Sequence, residues 1–258
     1  IYIRSEEDIL LMTGKALRIP ETSISDSKSE EKKAKSRTGA FYIDDEEEKH
    51  HKILKKIGEG ATSIAYKIID KRTSEIMCKK VVKIVEEDKA HKIAQNSMNE
   101  ITALNKINHP CICRIIGINL QEKVHELNDD DDDDDDSNSM TTISLFLEYL
   151  PNKLSHFLKS DKINNTLRVK IAIEVAFGMQ HLHELGMIHR DLKIENIMLD
   201  NDFSSKIIDF DLVHIENNSE ESLTKGVGSF DYMSPEMLNK TNYDNKTDVY
   251  SYGIVLYV

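Results

Sequence analysis

Hydrophobic and polar positions divide the chain into a strand-rich part followed by a helix-rich part. From His51 to about residue 85, β-branched residues occur in short runs interrupted by Gly58-Glu59-Gly60 and by Asp70-Lys71-Arg72, which predicts three strands. Residues 87–107 lack Gly and Pro and place hydrophobic side chains at helical spacing, so a helix is predicted there. Two more strands are predicted, at Cys113–Asn119 and Thr142–Tyr149.

The second part has the pattern of helices. A short amphipathic segment at 154–158 and a long one at Leu167–Leu185 precede two short predicted strands, Ile197–Leu199 and Lys206–Ile208. An irregular segment, Glu216–Pro235, and an apolar helix from Asp248 follow. Strands first and helices second predict an α+β chain with two lobes, at residues 51–150 and 151–258.

Two segments are too polar to be predicted as part of a core. Residues 1–50 are predicted to be a disordered extension or linker, because Glu21–Arg37 consist mainly of Ser, Glu and Lys and offer little to bury. Residues 121–140 contain eight consecutive Asp, which repel one another and favour an extended, solvated loop between two strands.

The charge and composition exclude some classes of function. The 258 residues carry a formal charge of -12, but eight acidic residues are the run 129–136, so the rest of the chain carries only -4. Without a basic stripe, nucleic acid is not expected as a partner. Without an apolar run of about 20 residues, no membrane segment is expected. Three Cys residues do not make a disulfide scaffold, which favours a reducing, cytoplasmic environment.

The first candidate chemistry lies at a hairpin that reads Ile57-Gly58-Glu59-Gly60-Ala61-Thr62-Ser63-Ile64-Ala65. Paired glycines allow the backbone to approach phosphate oxygens because no Cβ blocks the contact. Lys80 follows 22 residues after Gly58, on the same face of its predicted strand as Cys78. Together these features indicate a phosphate site; an ordinary glycine hairpin and surface lysines of an edge strand are the alternatives at this point.

The second constellation is more specific. The segment His189-Arg190-Asp191-Leu192-Lys193-Ile194-Glu195-Asn196 follows the long predicted helix, and Asp209-Phe210-Asp211 begins 18 residues after Asp191. Asp191 can accept a hydroxyl proton, while Asn196 and Asp209 can offer oxygen atoms to Mg²⁺. With Ser234-Pro235-Glu236 and Asp248-Val249-Tyr250-Ser251-Tyr252-Gly253 in the same order, the chain resembles the eukaryotic-type protein kinase family.

The resemblance covers residues 51–258 and implies a bilobal protein-kinase-like α+β fold, with a small antiparallel β-sheet lobe that carries one helix and a mainly helical large lobe. The last helices of the large lobe are missing, so a domain truncated at its C-terminus is expected. Lys193 and Ser229 resemble the Ser/Thr-specific members, and residues 248–256 look most like the tyrosine-kinase-like branch. The implied activity is transfer of the γ-phosphate of ATP to Ser or Thr of protein substrates.

The family's roles fall on particular residues of this chain. Catalytic roles are implied for the base Asp191, for Lys193 at the γ-phosphate, and for Lys80 with its ion-pair partner Glu100. Mg²⁺, or Mn²⁺ in its place, is implied at Asn196 and Asp209. ATP is implied to contact the phosphate loop, the adenine pocket and the hinge: Ile57, Gly58, Glu59, Gly60, Ala61, Thr62, Ser63, Ile64, Ala65, Cys78, Lys80, Glu148, Leu150 and Met198. The gatekeeper is Leu147, and the stack between the lobes is Leu104, Ile115, His189 and Phe210.

Four positions depart from the family's pattern. Ser63, Ala65 and Cys78 replace Gly, Val and Ala around the nucleotide, and all three remain small. Asp211 replaces the Gly that normally follows Asp-Phe. Gly permits backbone angles that other residues rarely adopt, and a third carboxylate close to the metal is expected to weaken or misdirect Mg²⁺ binding.

Arg190 suggests regulation by phosphorylation. The positive charge of an Arg beside Asp191 is expected to need a neighbouring anion, which a phosphate on the segment before residue 228 would supply. Thr224 is the favoured acceptor for an upstream kinase, followed by Ser222 and Ser219; ordinary polar residues of an exposed loop are the alternative. A cytoplasmic location is expected, with the nucleus second because a short basic cluster lies at residues 32–37.

Two other functions stay open at the level of sequence. A pseudokinase, which uses the fold as a scaffold, is favoured by Asp211 and Ser63. It is opposed by the full set of charged and amide residues, because a non-catalytic module has no chemical need for them. A phosphotransferase that acts on small molecules is opposed by residues 216–236, which resemble a peptide-binding groove.

Overall fold

The computed structural model describes residues 41–60, 62–84, 87–123, 140–159, 163–215 and 228–257. Residues 1–40, the Asp run, Ala61 of the phosphate loop and the predicted phosphorylation sites Thr224, Ser222 and Ser219 lie outside these ranges. Within the ranges, no helix combines the length and the apolar character that crossing a bilayer requires.

The first half of the chain is built around one sheet. Its elements are β1 (Phe41–Tyr42), α1 (Asp45–Glu48), β2 (His51–Glu59), β3 (Ser63–Asp70), β4 (Ile76–Ile84), α2 (Glu87–Lys106), β5 (Ile115–Lys123) and β6 (Met140–Glu148). Among the described residues the strand order is β1-β5-β6-β4-β3-β2. Every neighbouring pair is antiparallel except β1 with β5. The predicted strands and the predicted helix of this half are therefore confirmed.

Alternation along β4 directs its two consecutive lysines to opposite faces of the sheet. Lys80 meets Glu100 on the face covered by α2. Lys79 meets Glu48 on the other face, where its Nζ lies 5.6 Å from the ring centroid of Phe146. Because β4 is paired on both sides, by β3 and β6, the alternative of an edge strand with surface lysines is wrong.

Both faces of the sheet are covered by hydrophobic side chains. On the α2 face, residues of the helix and the strands form part of a large buried core: Ile101, Leu104, Val82, Ile118, Ile143 and Leu145. On the other face, Ile43, Ile68, Met77 and Phe146 form a smaller buried cluster. Burial on both faces explains why β6 lacks a clear alternation of polar and apolar residues.

Residues 41–49 fold onto the sheet, and we call them the N-terminal strap. The Ile43 amide donates to the Ile118 carbonyl at 2.8 Å, and the Asn119 side chain donates to the Ile43 carbonyl at 2.8 Å. Ile43 itself is only 8% exposed. The prediction of a linker over residues 1–50 is therefore wrong for residues 41–50, because three apolar residues are enough to add an edge strand but too few to form a recognisable pattern.

The second half is mainly helical. Its elements are β7 (Asn152–Lys153), α3 (Leu154–Leu158), α4 (Asn165–Glu184), β8 (Met187–Ile188), β9 (Ile197–Leu199), β10 (Ser205–Ile207), β11 (His214–Ile215), α5 (Pro235–Leu238) and α6 (Lys246–Tyr257). Asn164 caps the N-terminus of the long helix α4. Its side-chain oxygen accepts from the Leu167 amide at 2.8 Å and satisfies one free donor of the first turn. A sheet lobe followed by a helical lobe confirms the predicted α+β class.

Some predicted boundaries differ from those observed. Strands β5 and β6 remain paired from Gln121 opposite Thr142 to Lys123 opposite Met140, so the predicted loop insert at 121–140 is too long at both ends. The ladder continues because backbone hydrogen bonds do not depend on polar side chains. The second short strand is β10 rather than Lys206–Ile208, a shift of one residue, and α6 begins two residues before Asp248.

Residues 111–113 join the two lobes. The Cys113 amide donates to the Ile207 carbonyl, and the Ile207 amide donates to the Cys111 carbonyl, each at 2.9 Å. An ion pair of 2.9 Å between Lys206 on β10 and Glu148 at the end of β6 adds a second connection. A segment that belongs to the first half by sequence is thus hydrogen-bonded to the second half.

Candidate active site

Lys80 and Glu100 form a buried ion pair between β4 and α2. The Nζ atom of Lys80 lies 2.9 Å from both carboxylate oxygens of Glu100, and Glu100 is 1% exposed. A buried charge without a partner is costly, so the pairing holds both side chains in place. The structure thus brings together the two residues that the resemblance implied as an ion pair.

Two further carboxylates lie on the same ammonium group. The Nζ atom of Lys80 is 3.3 Å from Oδ1 of Asp209 and in closer contact with Oδ1 of Asp211. Burial alone would lower the pKa of Lys80, but the attraction of Glu100, Asp211 and Asp209 outweighs it and raises this pKa well above its ordinary value. Lys80 is therefore charged at neutral pH and is the centre of the cluster.

The backbone of Asp209-Phe210-Asp211 places the unusual conformation on Asp209. Asp209 has a φ of 67°, whereas Asp211 is not among the described non-glycine residues with positive φ. The expectation that a residue other than Gly is strained at position 211 is therefore wrong for this conformation. What distinguishes Asp211 from Gly here is its carboxylate, not its backbone.

Phe210 turns into the core between the lobes. It is 1% exposed, and its ring centroid lies 5.0 Å from that of His189. Leu104 and Ile115 belong to the same buried core as Phe210. The residues implied as a stack between the lobes are thus all buried, and Phe210 directs the neighbouring Asp209 toward Lys80.

Four hydrogen bonds fix the carboxylate of Asp191. Lys193 Nζ donates to Oδ2 at 2.6 Å, and the Asn196 side-chain amide donates to the same oxygen at 3.1 Å. The backbone amide and the hydroxyl of Ser229 donate to Oδ1, at 2.8 and 2.9 Å. Lys193 also donates to Ser229 Oγ at 2.8 Å, which closes a small network of three side chains. The carboxylate of Asp191 is therefore held in one orientation by the protein alone.

Asp248 on α6 holds the backbone that carries Asp191. Its two carboxylate oxygens accept from the amides of His189 and Arg190, both at 2.9 Å. His183 on α4 contributes a third hydrogen bond, from Nε2 to Oδ2 at 2.9 Å. The sequence analysis used Asp248 only as part of a motif and missed this role. The signal that could have revealed it is an acidic residue at the start of an otherwise apolar helix. In the structure Asp248 is 1% exposed.

Arg190 is held by neutral acceptors. Its guanidinium donates to the carbonyls of Leu212 and Val213 and to the hydroxyl of Tyr243. The expectation that Arg190 needs an anion in balance is therefore not met within the described residues. The contacts with Leu212 and Val213 instead anchor the segment that follows Asp211 to Arg190, the residue before Asp191.

The Lys80 cluster and the Asp191 network are directly connected. The Ile208 amide, which precedes Asp209, donates to the Asn196 carbonyl at 2.9 Å. On the other side, Gly228 has a φ of 106° and approaches so closely that a Cβ there would lie 2.4 Å from the Arg190 carbonyl oxygen. Charged and amide side chains from four separate segments of the chain, with Ser229 from a fifth, thus belong to two connected groups between the lobes.

The residues implied to contact ATP lie on neighbouring strands above this region. Gly58 on β2 is opposite Ala65 on β3, and Ala65 is opposite Lys80 on β4. Cys78 is opposite Leu147 on β6. Ala61, at the tip of the hairpin, is outside the described residues.

The remaining nucleotide candidates lie where the two lobes meet. The amide of Glu148 donates to the Arg114 carbonyl at 3.0 Å, and its carboxylate accepts from Lys206, so the side chain faces the second lobe. Leu150 follows β6 and is 6% exposed, while Met198 is half-buried on β9. These positions border the connection between the lobes, as the resemblance implied.

The oxygen ligands present are those that Mg²⁺ prefers. Asn196 uses its amide nitrogen on Asp191 and thus keeps its side-chain oxygen for a cation. Among the described residues, carboxylate oxygens of Glu100, Asp209 and Asp211 lie within 4.8 Å of one another. This group of oxygen donors suits a divalent cation. The resemblance implies that Asn196 and Asp209 would hold it, and of these two Asp209 belongs to the carboxylate group.

Comparison with known proteins supports the same assignment. Residues 51–258 match the family model described as protein kinase domain. A probable serine/threonine-protein kinase of Dictyostelium discoideum is 34% identical over 209 residues, 80% of this chain and 20% of the relative. Wall-associated receptor kinase-like 5 of Arabidopsis thaliana is 32% identical over 215 residues, 79% of this chain and 26% of the relative.

A third relative is similar to this chain over a comparable stretch. Cysteine-rich receptor-like protein kinase 10 of Arabidopsis thaliana is 33% identical over 213 residues, which is 78% of this chain and 28% of the relative. The chain therefore spans only a fifth to just over a quarter of the length of these three proteins. The match to the family model over residues 51–258, together with the Lys80–Glu100 pair and the Asp191 network, shows that the chain belongs to the protein kinase family.

Proposed function

We propose that this chain is the catalytic domain of a protein serine/threonine kinase, which transfers the γ-phosphate of ATP to hydroxyl groups of protein substrates. The observation that carries the proposal is the convergence of the Glu100 and Asp209 carboxylates on the ammonium group of Lys80. These residues come from a strand, a helix and a loop separated by more than a hundred positions. Phosphoryl transfer depends mainly on positioning and on neutralising phosphate oxygens, and this cluster supplies both.

Asp191 accepts the proton of the substrate hydroxyl. Its carboxylate is held in one orientation by Asn196, Lys193 and Ser229, so the base does not have to reorient when a hydroxyl approaches. Lys193 lies 2.6 Å from Asp191 and brings a positive charge to the position where the γ-phosphate is transferred.

The remaining site residues bind the nucleotide and the cation. Lys80 holds the α- and β-phosphates, and the glycine hairpin at Ile57–Ala65 covers them from above. Cys78, Glu148, Leu150 and Met198 border the adenine. Bound Mg²⁺, held by Asn196 and Asp209, supplies neutralisation of charge on the phosphate oxygens.

The specificity for Ser or Thr is supported by the contact between Lys193 and Ser229. Both residues resemble those of the Ser/Thr-specific members of the family, and they are joined by a hydrogen bond of 2.8 Å beside Asp191. The substrates are proteins, and a cytoplasmic location, with the nucleus second, is proposed with them.

Regulation by an upstream kinase is a separate part of the proposal. Thr224, Ser222 and Ser219 are the proposed acceptors, in that order. Arg190 has five N–H donors and gives three of its hydrogen bonds to neutral acceptors. Within the described residues its other N–H donors have no acceptor, and a phosphate on one of these residues would supply one.

The second candidate function is a pseudokinase that binds nucleotide or partners without efficient catalysis. One observation favours it, namely that Asp211 lies on Lys80, where the phosphates of ATP are expected to bind. The Asp191 network opposes it, because four hydrogen bonds orient a carboxylate that a scaffold does not use. A phosphotransferase for small molecules has no comparable support.

Turnover of ATP separates these functions. The full chain should phosphorylate a generic protein substrate on Ser and Thr in the presence of Mg²⁺. Asp191→Asn should lower the rate by about two to four orders of magnitude, the usual contribution of a catalytic base. Asp202→Asn, the same chemical change at an exposed position, is the matched control. Nucleotide binding with equal, negligible turnover in all three proteins would favour the pseudokinase.

A further inference from the structure

The ammonium group of Lys80 is fully engaged by protein side chains. An ammonium has three N–H donors, and Lys80 has four carboxylate oxygens within reach: two of Glu100, one of Asp209 and one of Asp211. Asp211 is thus a third carboxylate on the same ammonium group, beside Glu100 and Asp209. Any further anion on Lys80 therefore has to displace one of these acceptors.

Burial decides which acceptor is displaced. The side chain of Glu100 is 2% exposed and lies between α2 and the sheet, so its withdrawal from Lys80 would leave a buried charge without a partner. The side chain of Asp211 is 35% exposed and its backbone has no positive φ, so it can turn toward solvent without strain in the main chain. Asp209 is similarly exposed, but it lies at a longer distance and is an expected ligand of the cation.

We propose that Asp211 is an internal competitor of the nucleotide: its carboxylate occupies the position on Lys80 that the α- and β-phosphates take, and binding requires its displacement. This inference rests on the proposed function and adds to it a residue that sets affinity for phosphate. The competition has two parts. Asp211 withholds a donor from the phosphate oxygens, and its negative charge repels them at short range.

The proposal predicts an effect that depends on phosphate and not on adenine. A ligand without phosphate, such as adenosine, does not reach Lys80, so Asp211 does not oppose its binding. ADP reaches Lys80 with two phosphates and meets the full competition. Comparing the two ligands therefore separates a specific effect on Lys80 from a general change in the stability or opening of the cleft.

The test is a binding titration of ADP and of adenosine to the full chain in EDTA, by calorimetry. Excluding divalent cations removes any contribution of Asp211 as a metal ligand. Asp211→Asn keeps the shape and removes the charge, and Asp211→Ala removes the carboxylate altogether. Asp202→Asn gives the same change in net charge on the exposed surface of the second lobe. Thermal unfolding of each variant verifies that it is folded.

Both Asp211 variants should bind ADP about tenfold more tightly than the unaltered chain, with adenosine affinity unchanged in all proteins. Asp202→Asn should not differ from the unaltered chain. Unchanged or weaker ADP binding in folded Asp211→Asn and Asp211→Ala would overturn the inference and leave the proposed function standing. An equal gain for adenosine would also overturn it. A failure of all proteins to bind either ligand would overturn the proposed function together with the inference.

Discussion

A Cβ atom built on Gly117 of β5 would lie 2.6 Å from Cδ1 of Ile43. Because Gly117 has no side chain, the N-terminal strap can lie directly against the edge of the sheet. The strap is held by polar contacts as well, because Asn119 and Gln121 donate to Asp45, and Lys79 pairs with Glu48. Residues before the glycine hairpin are therefore an integral part of the first lobe.

We predict that Gly117→Ala destabilises the protein by about 1–3 kcal/mol, the usual cost of adding a methyl group to a packed contact. Gly253 on α6 provides the control, because a Cβ there meets nothing within 4 Å. Gly253→Ala should be neutral or stabilising by up to about 1 kcal/mol, since Ala is the better helix former. Urea denaturation of both variants checks the prediction. Equal stability of the two would show that the strap does not pack on Gly117.

Ser229→Ala should lower kcat by about tenfold and leave the KM for ATP nearly unchanged. The substitution removes one hydrogen bond to Asp191 and one acceptor for Lys193, but it touches none of the nucleotide residues. Ser229→Thr keeps the hydroxyl and should retain most of the activity. Steady-state kinetics of the two variants is the measurement. An increase in KM for ATP with kcat unchanged would argue against a positioning role for Ser229.

Cys78 should be a slow nucleophile in spite of its place beside the proposed adenine site. Burial raises the pKa of its thiol to about 11, against the opposing effect of Lys80. Since the thiolate is the reactive form, only about one molecule in a thousand is reactive at pH 8, and the alkylation rate should rise about tenfold per pH unit up to pH 10. Mass spectrometry of iodoacetamide-treated protein, with Cys78→Ala as the control, measures this rate. Rapid labelling at pH 7 would contradict the prediction.

His51 should make the fold sensitive to acid. Its Nδ1 atom is buried without a hydrogen-bond partner among the described residues, and its ring centroid lies 5.1 Å from that of Phe146. Burial lowers the pKa of His51 below its ordinary value of 6.5. The charges of Asp70 and Glu48 act against this shift, and those of Lys79 and Arg72 add to it.

The sign of the effect follows from the lowered pKa. Above pH 6.5 His51 is neutral in both states and its contribution to stability is constant. Below pH 6.5 the unfolded chain binds a proton before the folded chain does, so stability falls until the pH reaches the folded-state pKa. His51→Phe should flatten this part of the pH dependence of unfolding, whereas His50→Gln at the exposed neighbouring position should not. A profile unchanged by His51→Phe would assign the acid sensitivity to other groups.

The sequence predicted the site better than it predicted the edges of the fold. Strand parity placed Lys80 on one face of β4, and helical spacing predicted the helix that carries Glu100. The pairing of the two residues was implied by the resemblance to the kinase family, and the two side chains do meet in the structure. The strap escaped detection because its buried residue, Ile43, is a single side chain inside an acidic segment. Its packing depends on Gly117, about seventy positions later, which no local pattern includes.

The second limit concerns residues whose effect depends on three-dimensional contacts. Asp211 was recognised as unusual, and two consequences were expected: an unfavourable backbone conformation and a third carboxylate close to the metal. The backbone of Asp211 has no positive φ, and its carboxylate forms an ion pair with Lys80 that the sequence did not indicate. Arg190 was expected to need an anion, yet it is held by carbonyl groups of Leu212 and Val213. In both cases the side chain's charge could be read from the sequence and its partner could not.

The bonds between Cys111, Cys113 and Ile207 determine how the cleft can open. Because residues 111–113 travel with β10, a rotation of the first lobe cannot carry this segment along as part of a rigid body. The pivot must lie on either side of it, at the end of α2 and at the start of β5. Glu100, less than two turns from the first pivot, has a short lever arm, and the glycine hairpin has a long one. Opening by a given angle therefore moves the hairpin away from the second lobe by much more than it moves Glu100.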